Sequence, residues 1–88
     1  MSQNLTDLKK LLREYRGFAV RGPNQDLDAG ELKTAARIQT AIINALAALQ
    51  ASKRIDDKVR KSILEVVKKS DITNASTADK LEAVIKLI

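Results

Sequence analysis

Residues 28–51 read DAGELKTAARIQTAIINALAALQA, and this stretch decides the fold. Its beginning carries local helix signals, because Asp28 can cap a helix and Glu31, three residues later, completes a capping box. Alanine is the best helix former; it dominates the interior, and no proline interrupts the stretch. We therefore predict one long helix over residues 29–51.

This predicted helix is apolar around most of its circumference. At about 100° per residue, the bulky apolar side chains fall in one broad arc, formed by Leu32, Ile38, Ile42, Ile43, Leu46 and Leu49. A helix of this kind packs on several sides, so we expect it to be the central element on which the other helices pack. Gln39 falls inside the arc. Its amide either finds a backbone partner or solvent, or makes a buried polar contact that fixes register or meets a ligand.

Three shorter helices are predicted around the long one. The first covers residues 5–16, and its apolar side chains repeat at helical spacing. Gly17 has the position of a glycine that ends a helix, although one glycine does not forbid continuation to Val20. The others cover residues 57–69, after the capping residue Asp56, and 77–88, after Ser76. Residues 1–88 are therefore predicted to form a single all-α domain, a compact four-helix bundle-like fold.

The composition excludes several kinds of chemistry. The 88 residues include no cysteine and no histidine, which removes the thiol nucleophile, the commonest general base and the commonest transition-metal ligands. No phosphate-binding glycine loop and no calcium-loop spacing occurs. The acidic residues are explained as helix caps and turn residues. We therefore predict no enzymatic activity, no cofactor and no metal site.

The ends and the hydropathy of the chain point to a cytoplasmic location. The first ten residues, MSQNLTDLKK, are polar and unlike a secretory signal. No apolar run approaches the length that spans a membrane. The absence of cysteine fits a reducing compartment.

Positive charge is concentrated in two elements. The net charge is +5, with +3 in residues 1–23 and +4 in residues 53–69, whereas residues 24–52 and 70–88 each carry −1. Such stripes either keep a small protein soluble or meet an acidic partner. If they bind, the candidate contact residues are Lys9, Arg13, Arg16, Arg21, Asn24, Lys33, Arg37, Lys58, Lys61 and Lys68. Arg21 and Asn24 are included because they flank the turn residues Gly22 and Pro23.

Two functions fit this pattern. The first is a non-enzymatic protein–protein interaction module of the docking, inhibitor, immunity or assembly type. The alternative is a nucleic-acid-binding protein that contacts the phosphate backbone through the first and third helices, without base readout. A membrane surface is the less favoured partner, because the leucine face of the first helix is needed in the core. Self-association is a further possibility, since three short helices would leave part of a long apolar helix uncovered.

In size, helix count and basic charge, the chain resembles the immunity proteins of small bacteriocins and the short helical docking domains of viral phosphoproteins. Both resemblances imply a small helical module that binds another protein. They concern architecture alone, because the chain carries a signature motif of neither group.

Overall fold

The computed structural model describes residues 4–69 and 71–88. They form four helices: α1 (Leu5–Arg21), α2 (Ala29–Ala51), α3 (Asp57–Lys69) and α4 (Ser76–Ile85). The described ranges contain no strand. The prediction of an all-α, four-helix bundle-like domain is confirmed, and the predicted ranges of the second and third helices agree with α2 and α3.

The capping signals of α2 and α3 act as the sequence predicts. Asp28 accepts a hydrogen bond from the Glu31 backbone amide at 2.7 Å, and the Glu31 side chain accepts one from the Asp28 amide at 3.3 Å. Both halves of the capping box are therefore present. Asp56 accepts a bond from the amide of Lys58 in the first turn of α3. Because these contacts are local, they fix the helix boundaries without help from the rest of the fold.

The predicted end of α1 at residue 16 is wrong, because the helix continues to Arg21. Ala19 is fully buried in the core and Phe18 packs against it, so a helix that stopped at Gly17 would lose this apolar contact. The helix ends at Arg21, and the next residue, Gly22, caps it and precedes Pro23. Tertiary packing therefore outweighs the glycine as a local stop signal.

The predicted range of the last helix is also shifted. α4 begins at Ser76 and ends at Ile85, whereas the prediction was 77–88. Asn74 accepts hydrogen bonds from both the amide and the hydroxyl of Ser76, which orders the turn before the helix. After Ile85, the amides of Leu87 and Ile88 bond three residues back, so the chain closes in tighter turns.

The helices form a ring in which each packs against two neighbours: α1 on α2 and α4, and α3 on α2 and α4. The expectation that α2 is a central element touching all three others is therefore wrong, since α4 lies diagonally across from it. Having only two neighbours, α2 leaves Leu32 46% exposed and Ile38 and Ile43 only partly buried. Its remaining inner residues, including Ile42, Leu46 and Leu49, are fully or almost fully buried.

Gln39 ties α2 to the end of α3. Its Nε2 donates a hydrogen bond of 2.8 Å to the carbonyl oxygen of Val67. Val67 lies in the last turn of α3. The interpretation in which this amide finds a backbone partner is therefore confirmed.

The two long connections meet at one end of the bundle. Gly22, in the α1–α2 connection, lies against the carbonyl of Ile72 in the α3–α4 connection. Thr77, the one polar side chain that is buried in the described ranges, donates its hydroxyl to the carbonyl of Asp71 at 2.6 Å. Among the residues that the structure describes, no helix is long and apolar enough to cross a membrane.

Candidate partner-binding groove

Three basic residues of α1 line a groove between α1 and α4. Its lining comprises Lys9, Arg13, Arg16, Glu82, Ile85 and Lys86, and we call this surface the α1–α4 groove. Two contacts cross it. Arg16 pairs with Glu82 at 2.7 Å, and the Lys9 ammonium donates to the carbonyl oxygen of Ile88 at 3.2 Å. These contacts show that the two helices run antiparallel.

The buried face of α1 positions these cations. Leu8, Leu12, Tyr15 and Ala19 are in the core, and they fix the rotation of the helix about its axis. Lys9, Arg13 and Arg16 lie next to this buried face, on the side that meets α4. On α4, the buried Ile85 forms part of the lining, and Lys86 stands beside it. The apolar pattern of both helices therefore turns their charged neighbours toward the same groove.

The α1–α4 groove has a strong excess of positive charge. Four cations share it with the single carboxylate of Glu82. The pair between Arg16 and Glu82 is about half exposed on both sides, so it adds little to stability. The Nε of Arg16 is buried and has no hydrogen-bond partner in the described part of the chain. Because its cations outnumber its acidic side chain, the groove can accept further acidic groups.

Exposed apolar residues lie at both ends of the stripe. Leu5 is 40% exposed and Val20 is 46% exposed. Leu5, Lys9, Arg13, Arg16 and Val20 follow one another at intervals of three or four residues, which places them on one side of the helix. This α1 stripe is about 22 Å long at 1.5 Å per residue. It offers apolar contacts at its ends and positive charge between them.

The remaining predicted cations lie elsewhere. Lys33 and Arg37 are exposed on the outer side of α2, where they flank a shallow depression with Ala36 and Thr40. Lys58, Lys61 and Lys68 are exposed on α3, and Lys61 pairs with Asp57 at 3.3 Å. Since α1 and α3 occupy diagonal corners of the ring, the two basic stripes do not join into one surface.

Arg21 and Asn24 belong to the connection between α1 and α2. Arg21 pairs with Glu31 of the capping box, and its guanidinium lies over the Phe18 ring, 5.3 Å from the centroid. These contacts hold the end of α1 to the beginning of α2. Asn24 is exposed, and its backbone amide donates to the carbonyl of Arg21. The structure thus gives Arg21 an intramolecular role in addition to any contact with a partner.

Sequence reasoning missed three residues of this surface: Leu5, Val20 and Lys86. Leu5 continues the leucine repeat of Leu8 and Leu12, and that spacing predicts a core position for it. Val20 lies beyond the predicted end of the first helix. The four-residue spacing of Glu82 and Lys86 is typical of an ion pair within one helix, yet Glu82 bonds to Arg16 on α1. Only the pairing of α1 with α4 reveals that Lys86 lines the α1–α4 groove beside the α1 stripe.

Two acidic residues that the structure describes, Asp57 and Asp71, have local structural partners. Within residues 4–69 and 71–88, no group of three or more His, Cys, Asp or Glu is placed to hold a metal ion. Hydrogen bonds from Lys61 and then Arg60 hold the pKa of Asp57 below its ordinary value, and both donors lie on the same helix turn. The hydroxyl and then the amide of Thr73 do the same for the pKa of Asp71. Both carboxylates thus act in local turn and helix-end structure.

No family model, no curated protein and no solved structure matches this chain.

Proposed function

We propose that this chain is a non-enzymatic helical module that binds an acidic segment of a protein partner in the α1–α4 groove. The observation that carries the proposal is the convergence of Lys9, Arg13, Arg16 and Lys86 on one groove. Only one acidic side chain, that of Glu82, lies among them. The surplus of positive charge is complementary to a partner rich in Asp or Glu.

The apolar ends of the α1 stripe favour a protein over a nucleic acid. Leu5 and Val20 are exposed on either side of the cations, and an amphipathic helix can place apolar residues against both while its acidic residues meet the cations between them. A phosphate backbone offers no apolar groups for these positions. We therefore expect the bound segment to be a helix with acidic residues in its middle and apolar residues at its ends.

The aromatic residues give nucleic acid little support. Proteins that hold single strands commonly stack bases on exposed aromatic rings. Tyr15 is only 4% exposed, and Phe18 is partly buried with the guanidinium of Arg21 over its ring. The basic residues of α1 and α3 also lie on diagonal helices. The joint phosphate footprint that the alternative function requires is therefore split between two sides.

The proposal is tested with a synthetic helical peptide that has glutamates in its middle and leucines at its ends. The variant Arg13→Glu/Lys86→Glu changes two groove residues that have no ion pair in the described part of the chain. Fluorescence anisotropy should show at least about a tenfold loss of affinity. The matched control, Lys58→Glu/Lys68→Glu, makes the same change in net charge on α3 and should change affinity less than about twofold.

The outcomes separate the two functions. Equal losses in the two variants would mean that net charge alone attracts the peptide, which would contradict a site in the α1–α4 groove. A parallel titration with random duplex DNA tests the alternative. Tight binding to DNA that falls steeply with salt, together with no binding of the peptide, would favour the nucleic-acid function instead. The same two variants then serve as baits, so that a native partner is accepted only if the groove variant fails to retain it.

A further inference from the structure

A second groove lies on the other side of α1, between α1 and α2. Its lining comprises Glu14, Gly17, Phe18, Arg21, Thr34 and Ile38, and we call it the α1–α2 groove. Phe18 and Ile38 are partly buried hydrophobic residues that pack against the core. Gly17 is exposed beside them. The groove thus has an apolar floor, polar rims and a gap in the side chains of α1.

The fold itself makes no use of the missing side chain at Gly17. A Cβ built on this residue meets no atom of another described segment within 4 Å. Glycine in the interior of a helix lowers stability by about 1 kcal/mol relative to alanine, and no close contact in the described ranges requires a glycine here. A glycine at this position leaves room for another helix backbone to approach α1 closely.

The two charged residues beside Gly17 have opposite signs, so they could pair with the same two residues of a second copy of the chain. Glu14 and Arg21 are seven residues apart on the same helix, one on each side of Gly17. Glu14 has no ion pair in the described ranges. Arg21 bonds to Glu31 through one nitrogen, and its side chain remains 44% exposed, so it has further donors to offer.

A two-fold axis between Gly17 and Phe18 brings these groups together. If two copies of α1 run antiparallel about this point, Glu14 of each copy faces Arg21 of the other, and Gly17 faces Phe18. This arrangement is isologous, as the interfaces of most homodimers are. It gives the unpaired carboxylate a partner, and it covers the apolar floor.

We propose that the chain forms an antiparallel homodimer in which α1 of each copy lies in the α1–α2 groove of the other. The α1–α4 groove could not serve this purpose, because its surplus of cations would repel the same surface of a second copy. The dimer leaves that groove open to an acidic partner. The proposal is independent of the proposed function, since the two surfaces lie on different sides of α1.

Sedimentation equilibrium over a concentration series up to about 1 mM tests the dimer. The unmodified chain should associate, whereas Glu14→Arg alone and Arg21→Glu alone should each raise the dissociation constant at least about tenfold. An equimolar mixture of these two variants should associate again. In the mixed dimer, each introduced charge faces an opposite charge on the other chain, and no like charges meet.

Arg21→Glu also breaks the pair between Arg21 and Glu31, which could disturb the fold. A second variant therefore tests the dimer without changing Arg21. Gly17→Leu places a side chain where the chain itself has open space, so circular dichroism should show an intact helical fold while the dimer is lost. Glu65→Arg repeats the charge change of Glu14→Arg on α3 and should leave the dimer intact. A monomeric unmodified chain at about 1 mM, or a Gly17→Leu variant that associates as tightly as the parent, would overturn the proposal. Neither result would affect binding of the acidic peptide.

Discussion

One glycine lies in the middle of α1 and another directly follows its end, and the surroundings of the two are opposite. At Gly22, an added Cβ would collide with the backbone carbonyl of Ile72. At Gly17, an added Cβ would meet nothing within 4 Å among residues 4–69 and 71–88. The packing of the fold therefore requires a glycine at position 22, just after the helix, and does not require one at position 17 in its middle. The same residue type supports internal packing at one position and an open outer surface at the other.

The contact at Gly22 matters because it joins two segments that are far apart in sequence. It holds the α1–α2 connection against the α3–α4 connection. Other bonds fix both sides of this contact: Arg21 pairs with Glu31, and Thr77 donates to the carbonyl of Asp71. Since both connections are held in place, neither can move away from a new side chain at low cost.

The largest expected effect is therefore that of Gly22→Ala. The new methyl group must displace the Ile72 backbone, and overpacking of this kind costs about 2–3 kcal/mol. Urea unfolding of the variant, followed by circular dichroism, should show this decrease in the free energy of unfolding. The backbone of Gly22 is right-handed helical, with φ −52° and ψ −42°, so alanine could otherwise adopt it. A variant as stable as the parent would show that the two connections separate freely, and the difference between the glycines would disappear.

Gly17→Ala should act in the opposite direction. Alanine removes the penalty of a glycine inside a helix and meets no neighbour, so the free energy of unfolding should rise by about 1 kcal/mol. The measurement uses the same urea titration, at concentrations too low for self-association. A loss of stability would mean that Gly17 is needed by the fold after all. In that case its role in the α1–α2 groove would lose its main support.

These two positions also show how far the sequence predicts the fold. The boundaries of α2 and α3 depend on neighbours in the chain, as in the capping box of Asp28 and Glu31, and their predictions agree with the structure. The end of α1 depends on the burial of Ala19 and on the distant contact between Gly22 and Ile72. Such contacts exist only after the helices have packed, so a local glycine signal at Gly17 gave the wrong end.

The candidate site could likewise be predicted only in part from the sequence. The spacing of Lys9, Arg13 and Arg16 already predicts a basic stripe on the first helix. The groove itself depends on which helix packs beside α1, and local pattern does not determine that neighbour. The ring arrangement places α4 there, which adds Lys86 and separates the stripe from α3. The expectation of one long central helix missed this, because a broad apolar arc does not reveal how many neighbours cover it.

Lys53 extends the comparison to a position where a glycine is preferred but absent. It has a left-handed φ of 59° just after α2. The amides of Lys53 and Arg54 bond back to the carbonyls of Gln50 and Leu49, the pattern of a Schellman ending. Lys53→Gly removes about 1 kcal/mol of backbone strain from the folded state. Glycine also raises the conformational entropy of the unfolded chain, and this offsets part of the gain in stability. Thermal unfolding should show a net gain of about 0.5 kcal/mol. An unchanged midpoint would mean that the two terms cancel.

The smallest expected effect concerns the other side of the Gly22 contact, at Asp71. Its carboxylate accepts bonds from the hydroxyl and the amide of Thr73, at 2.6 and 2.9 Å, and these hold the pKa below its ordinary value of 3.8. Because the folded pKa is the lower one, the stabilisation is fully present above the ordinary value and is lost as the pH falls through the folded pKa. Asn at this position still accepts both bonds but does not titrate. The stability advantage of the parent over Asp71→Asn should therefore shrink between about pH 5 and about pH 2.

The variant Asp57→Asn serves as the comparison for this pH effect. The pKa of Asp57 is also lowered, but this residue lies on α3, away from the two connections. If the Gly22 contact depends on an ordered turn at Asp71, acid should weaken the penalty of Gly22→Ala in the parent chain and in Asp57→Asn, but not in Asp71→Asn. An equal penalty at both pH values in all three backgrounds would separate the turn from the contact.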